Sequence, residues 1–571
     1  MKDQKIQLDR ERVEVNEALK QGGFAKLKTY TRLAGPGWLQ SALMLGGGSL
    51  AGSLYLGVLT GVHLIWLQPV AMILTIVMFG ALSYVVLSTG KPPFKAINEH
   101  INPVLGWSWA LASLASCMVW AMPQYALASG VIQQNLAPAL FGHDGLLGDF
   151  NSRLLITTVM FLFVTSIAWQ YSKAGRAVKT FEWILKAMIW LIVACFFGVV
   201  VRLSILPGGL DWPSILRGMI PDPGLFFRPA DGFYPLLDAI PAEYRTYWSD
   251  MIVHRQREVM IAVVAAASGV NATFLLAYSL IRRKWGKEYR ELAIFDLGTG
   301  MLIPFAIATT CVIIAGSNQF HAVPQPGFVP GGPPVEAGLE PSSAHINEFE
   351  ELIKGRMLFE NPDMDLSELT GAGSAYYMEA VSVHERRVAA ALLTRDAFDL
   401  ASSLEPLTGS FFARIIFGIG VLGMTLSTAI LHMLISGMVV CEMLDRPHTG
   451  RTLRYGSLIA ATGALGPFLW QKAAFWLAVP TSVFAFILLP SAYFTFFLMI
   501  NKRELMGKEI PAGNRRILLN IIMTLIIILF CAISAYVIVN HAGMWGIAAV
   551  AVFLLAIAAG HFWMKTQQRP A

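Results

Sequence analysis

The chain has 571 residues, of which 55% are apolar or aromatic and only 14% are charged, and its mean hydropathy is +0.57. Soluble domains carry nearer a quarter charged residues, and their single cores stop growing at ~250–300 residues, so this much apolar sequence needs lipid as its solvent and excludes a water-soluble enzyme. The net charge of +6 does not indicate a nucleic-acid partner, because the Lys and Arg residues sit in short loops between apolar runs, which is the membrane-topology pattern.

In chain order, residues 1–33 are charged and polar, with no apolar stretch near the start. They read as a cytoplasmic N-terminal tail rather than a cleaved signal peptide. A spanning helix needs ~20 mostly apolar residues. The runs that meet this length are 34–61, 63–88, 105–137, 153–171, 181–204, 259–281, 292–316, 409–443, 454–471, 474–499, 516–540 and 543–564; the run at 454–471 is short. They predict an all-α integral membrane protein, a single domain over 34–571 with about twelve transmembrane helices.

Loop charge orients the array. Lys91 and Lys95 follow the second run, Lys173, Arg176 and Lys179 the fourth, and Arg282, Arg283, Lys284, Lys287 and Arg290 the sixth. Arg446 and Arg451 follow the eighth, Lys502, Arg503, Lys508, Arg515 and Arg516 the tenth, and Lys565 and Arg569 the last. The intervening short loops are nearly free of Lys and Arg, so the positive-inside rule predicts a multi-pass protein of the cell membrane with both termini cytoplasmic.

Two outside segments are long. Residues 205–258 carry several prolines with Trp212, Phe226, Phe227, Phe233 and Tyr234, and are expected to form a small cap. Residues 317–408 open with a Pro/Gly-rich linker and turn acidic at Glu348, Glu350, Glu351, Asp363, Asp365 and Glu368. They read either as an ordinary solvated loop or as a vestibule that attracts cations. The five cysteines (Cys117, Cys195, Cys311, Cys441 and Cys531) fall in apolar runs and form no CxxC pair, so neither a disulfide framework nor a zinc site is indicated. No nucleophile–base pair or metal-ligand cluster appears at a recognisable spacing, and no cofactor is implied.

The chemistry concentrates where helices should break. Gly46-Gly47-Gly48-Ser49 lies mid-span, and each glycine costs a helix about 1 kcal/mol relative to alanine. The sixth run has a softer counterpart in Ser268, Gly269, Asn271 and Thr273. Breaks in the first helix of each half of a five-plus-five array point to an inverted-repeat transporter, with substrate held between the paired breaks. The repeats would be 34–204 and 259–499, with extra helices at 516–564. Small and polar residues at these places also serve helix packing. Gln124 and Tyr125 are the polar centre of the third run. Ser427, Thr428 and His432 are coupling-ion candidates in the eighth: the histidine for protons, as an ionisable group inside a span, and the hydroxyl pair for sodium only as the fold resemblance given below implies. Helix-backbone bonding accounts for such hydroxyls equally well, and a helix-contact role for such a histidine.

GPGWLQSALMLGGGSLAGSL (35–54), LEPLTGSFFARIIFGIGVLGMTLSTAILHMLISGMVVCEML (404–444) and FILLPSAYFTFFLMINKRELMG (486–507) resemble segments of the NRAMP family of divalent-metal transporters. The resemblance covers most of residues 30–540, with 317–408 as an addition. It implies the leucine-transporter-type fold of the APC superfamily and metal transport by alternating access. The family's centre of the first helix reads Asp-Pro-Gly-Asn. By spacing, its aspartate falls at Gly46, its asparagine at Ser49, its sixth-helix methionine at Asn271 and a nearby histidine at Thr273. The acidic residues of the family's third helix have no counterpart in 105–137.

Carboxylates are missing from the span centres generally; Asp296, Glu405 and Glu442 sit at span ends. Hard cations usually need carboxylate oxygens, so a metal here would rest on backbone carbonyls, Ser49, Asn271 and Gln124, with Met44 and Met122 as the available soft donors. Two other readings stay open. The glycine-rich break offers N–H groups suited to an anion or small organic solute, with sodium as coupling ion. A sensor or scaffold could also have kept the fold and lost the site.

Overall fold

The computed structural model describes residues 2–142, 145–171, 176–207, 209–329, 343–363, 381–395, 405, 409–469 and 477–567. These are helical nearly throughout, and no strand occurs among the described residues. Among the described residues, eight helical stretches are long and apolar enough to cross a membrane, or ten when each of two bent pairs counts as one span. The bent pairs are Pro36–Met44 with Gly47–Thr60, at 54°, and Ala478–Phe486 with Leu489–Asn501, at 41°. The first of these breaks is where the glycine run lies. The second was not anticipated, although Pro490 at the start of Leu489–Asn501 is a residue that disrupts a continuous helix.

Three elements differ from expectation. Helix Gly513–Gln567 runs through both expected final spans. Its 55 residues would extend about 80 Å if straight, far beyond the ~30 Å hydrocarbon thickness, but Gly543 adopts φ 52° and ψ −139° and kinks it. Asn520 pairs with Asn501 before the kink, His541 lies 3.4 Å from Glu258 beside it, and the Ile557 carbonyl accepts from Asn102 after it. The expected ninth span is instead a helix Gly450–Ala460, a 3-10 turn Ala461–Leu465 and a short helix Gly466–Leu469, and it is not among the membrane-length helices. Close packing explains the interruption: a Cβ on Gly463 would lie 2.3 Å from that of Ala121, and one on Gly466 2.4 Å from the Met122 carbonyl oxygen. The sixth span begins at Ala242, not at 259, because its early polar residues find partners. Trp248 donates to Glu385, and Gln256 accepts from Ala230 and donates to the Leu225 and Arg228 carbonyls.

Contacts sort the loops onto two faces. Arg12 pairs with Glu288 and Lys26 with Glu291. Arg290 and Lys287 pair with Glu509 at 2.7 and 3.3 Å. The N-terminal helices and the loops after the sixth and tenth spans therefore share one face. On the other face, helices Ser343–Glu360 and Val383–Ala391 pack over the start of the sixth span. Arg356 meets Glu385 at 2.6 Å with both side chains almost fully buried, and Glu385 closes a capping box with Ser382. Glu348 accepts from Arg255 and from both the N–H and hydroxyl of Thr394. That carboxylate is therefore engaged internally and is not part of an open acidic vestibule. Asp365, Glu368 and the Pro/Gly-rich linker beyond residue 329 lie outside the described residues. Tyr55, in the half of the first span away from the N-terminal tail, donates to the Arg395 carbonyl and accepts its N–H at 3.1 Å.

Large apolar side chains are exposed along Asp149–Tyr171, Arg176–Ile205 and Gly513–Gln567, among them Leu162, Trp183, Leu525 and Leu555. Contiguous apolar surface of this extent marks contact with lipid.

The tail-side end of the first span is held by one carboxylate. Asp296, 1% exposed, accepts from the N–H groups of Gly35 at 3.2 Å and Gly37 at 2.7 Å. The Gly-Pro-Gly sequence permits this approach, since a Cβ on Gly37 would lie 2.2 Å from the Asp296 carbonyl oxygen and one on Gly35 2.1 Å from the Arg283 guanidinium. An unmade bond at a buried N–H costs about 1–3 kcal/mol. Asp296→Ala should therefore raise the amide hydrogen-exchange rate of residues 35–44 by roughly 5- to 150-fold while leaving 47–60 unchanged; equal exchange in both halves would show that Asp296 does not hold this end closed.

Candidate functional site

The helix Pro36–Met44 stops where the glycine run begins, Gly46 is extended, and Gly47–Thr60 starts anew. Such a break strands carbonyls of the first half and N–H groups of the second, and within a bilayer each unsatisfied group costs several kcal/mol. Side chains from two other spans meet part of this demand. Gln124 Oε1 accepts the Gly47 N–H at 3.0 Å while its Nε2 donates to the Trp120 carbonyl. The Thr428 hydroxyl donates to the Ala42 carbonyl at 3.1 Å. Ser49 donates to the Gly46 carbonyl at 3.0 Å.

The sixth span is interrupted at 267–269 and resumes at Val270. Asn271, 1% exposed, donates to the Cys117 sulfur at 3.6 Å and accepts from the Ala272 N–H at 3.0 Å. Between the two breaks lies a cavity of about 30 Å³ lined by Leu43, Met44, Gly46, Gly48, Ser49, Trp120, Gln124, Ala266, Gly269, Asn271, Thr428, His432 and Ser482. It has room for about one or two water-sized guests. Gly48 and Ala266 are the two lining residues that are partly exposed.

Several expected residues thus converge: Gly46, Gly48, Ser49, Gln124, Gly269, Asn271, Thr428 and His432 line one cavity. Others are placed elsewhere. Gly47 contributes its N–H to Gln124. Ser268 bonds Thr75 at 2.6 Å, and Thr273 accepts from Trp109 at 2.8 Å while donating to the Val270 carbonyl. Ser427 donates to Met424 of its own helix. Tyr125 is buried with its hydroxyl unpartnered among the described residues and does not line the cavity. Sequence reasoning missed Leu43, Trp120, Ala266 and Ser482. Trp120 lies one helical turn from Gln124 and so shares its face, and it donates to Ser482 at 3.2 Å. Ser482 belongs to the tenth span, whose break carried only the signal of Pro490.

No lining residue is Asp, Glu, Lys or Arg, and among the described residues no group of three or more His, Cys, Asp or Glu could hold a metal. The missing carboxylate is built into the packing. At Gly46 an added Cβ would lie 2.8 Å from Thr428 Oγ1 and 3.0 Å from its Cγ2, and that threonine is tied to Ala42. Overpacking costs about 1–3 kcal/mol, so Gly46→Asp should lower the thermal midpoint of the detergent-solubilised protein. Thr428→Ala in the same chain should recover most of the loss. Strictly additive effects of the two changes would contradict the packing argument.

Residues 375–540 match the model of the family described as natural resistance-associated macrophage protein-like (Nramp). No curated protein sequence matches the chain. Among solved structures, the manganese transporter of Eremococcus coleocola, crystallised with an aromatic bis-isothiourea substituted compound, aligns with a TM-score of 0.59 at 13% identity over 95% of this chain and 96% of that one. A mutant of the same transporter aligns at 0.58 and 12% over the same shares. At that identity the likeness establishes a shared fold, and the family match covers residues 375–540 of the chain: this is a multi-pass membrane protein with the fold of that transporter and an Nramp-like segment.

Proposed function

We propose that the protein is a secondary transporter that moves a metal ion across the cell membrane by alternating access, the repeats 34–204 and 259–499 moving against each other. The observation that supports this best is the small cavity where the two interrupted helices meet, with several polar side chains in its lining. Its lining residues with polar side chains are Asn271, Ser49, Gln124, Thr428, Ser482 and His432. Such groups replace part of an ion's hydration shell at a helix break. The family match and the fold shared with a manganese transporter point the same way.

The competing readings fit less well. A cavity of about 30 Å³ is far smaller than the ~300–1,000 Å³ of pockets for drug-sized molecules, and of Gln124 and Tyr125, the pair that would bound an organic-solute site, Gln124 lines it and Tyr125 does not. An anion would need the N–H groups that open the second half-helix, and that of Gly47 is already taken by Gln124. A scaffold would have no use for a first span bent by 54°.

In proteoliposomes the purified protein should take up divalent metal saturably. Asn271→Ala should reduce the uptake about tenfold or more, by analogy with the loss seen when groups around a metal are removed. Absence of flux for Mn²⁺, Co²⁺, Ni²⁺ and Zn²⁺ alike, in protein shown to be folded, would overturn metal transport.

A further inference from the structure

We propose that His432 is a direct ligand of the transported ion, and that its imidazole places Co²⁺, Ni²⁺ and Zn²⁺ ahead of Mn²⁺ and well ahead of Mg²⁺ and Ca²⁺. The proposal rests on reading the cavity as a metal site and names the donor that decides its selectivity. His432 is 2% exposed and lines the cavity, and its Nδ1 has no hydrogen-bond partner among the described residues. A buried polar atom left unpaired costs about 1–3 kcal/mol, so an unpartnered nitrogen on a residue that lines the cavity favours a guest that binds nitrogen. Thr428, one turn earlier on the same helix, lines the same cavity, so this face of the eighth span is turned toward the two breaks.

The remaining donors explain why one nitrogen matters. Asn271, Ser49, Thr428 and Ser482 supply neutral oxygens, and no carboxylate is present to repay the dehydration of a hard ion. Mg²⁺ dehydrates reluctantly and Ca²⁺ wants six to eight oxygens. An imidazole suits Zn²⁺, Cu²⁺ and Ni²⁺, and affinity at nitrogen-containing sites rises from Mn²⁺ through Co²⁺ to Ni²⁺. Within this donor set His432 is the group that discriminates between those classes.

The test is calorimetric titration of the full-length purified protein with Co²⁺, Mn²⁺ and Mg²⁺, alongside His432→Gln and His432→Ala and a thermal melt of each. The expected result is saturable Co²⁺ binding, weaker Mn²⁺ binding, Mg²⁺ binding weaker still, and about a tenfold or greater loss of Co²⁺ affinity in His432→Gln with its melt preserved. Co²⁺ binding unchanged in a folded variant would overturn the role of His432 and leave metal transport standing. If neither variant folds, the unmodified protein decides: Mg²⁺ or Mn²⁺ binding as tightly as Co²⁺ overturns the proposal. Failure of all three ions to bind overturns the metal reading of the cavity itself.

Discussion

A break in a membrane helix is tolerated only where other parts of the protein take over the hydrogen bonds that the helix gives up. In this chain the break after Met44 depends on two side chains from elsewhere, Gln124 on the Gly47 N–H and Thr428 on the Ala42 carbonyl. Much else follows from that pair. Thr428 occupies the space a side chain at Gly46 would need, so the backbone is bare there. Gln124 is held in turn by the Trp120 carbonyl, which brings the third span against the break, and the Trp120 ring nitrogen reaches Ser482 on the tenth. The cavity is what remains between these mutually supporting contacts and the interruption before Val270.

The two ends of the first span are secured by different means. On the tail side a buried carboxylate, Asp296, caps the Gly-Pro-Gly start. On the opposite side the chain crosses to Arg395, whose backbone clasps Tyr55. Arg395 belongs to a layer fixed by buried ion pairs, Arg356 with Glu385 and Arg255 with Glu348. Breaking one partner of a buried pair is costly, typically ~3–5 kcal/mol, so this layer is a firm anchor rather than a loose loop. Movement of the first span toward either face must therefore release a specific polar contact.

Much of the architecture was legible from apolar run length, because lipid imposes a minimum helix length that soluble proteins do not face. The glycine run announced the first break, since three adjacent glycines have no better helical explanation. Side-chain direction was harder to read. Ser268 and Thr273 flank Asn271, yet they turn to Thr75 and Trp109, because a helix restarting after an interruption has no rotational phase fixed by its sequence. Asp296 was visible as a carboxylate at a span end, but its bond to Gly37 joins residues 259 positions apart, and no local pattern encodes that. The ninth segment misled for a related reason: its glycines serve contact with Ala121 and Met122, which shortens the regular helix that composition suggested.

The absence of any formally charged residue around the cavity has an electrical consequence. In a carrier whose site includes carboxylates, the empty and loaded forms can be nearly matched in charge. On the proposed reading, a divalent ion would keep both of its charges as it crosses the membrane field, and the empty site would cross with none. Each elementary charge is worth ~2.3 kcal/mol per 100 mV, so the loaded passage is biased by roughly twice that, while the return of the empty form is indifferent to voltage. A metal carrier built as proposed would be a rectifier: an interior-negative membrane would draw the cation inward without any partner ion, and depolarisation would stall it at the loaded step.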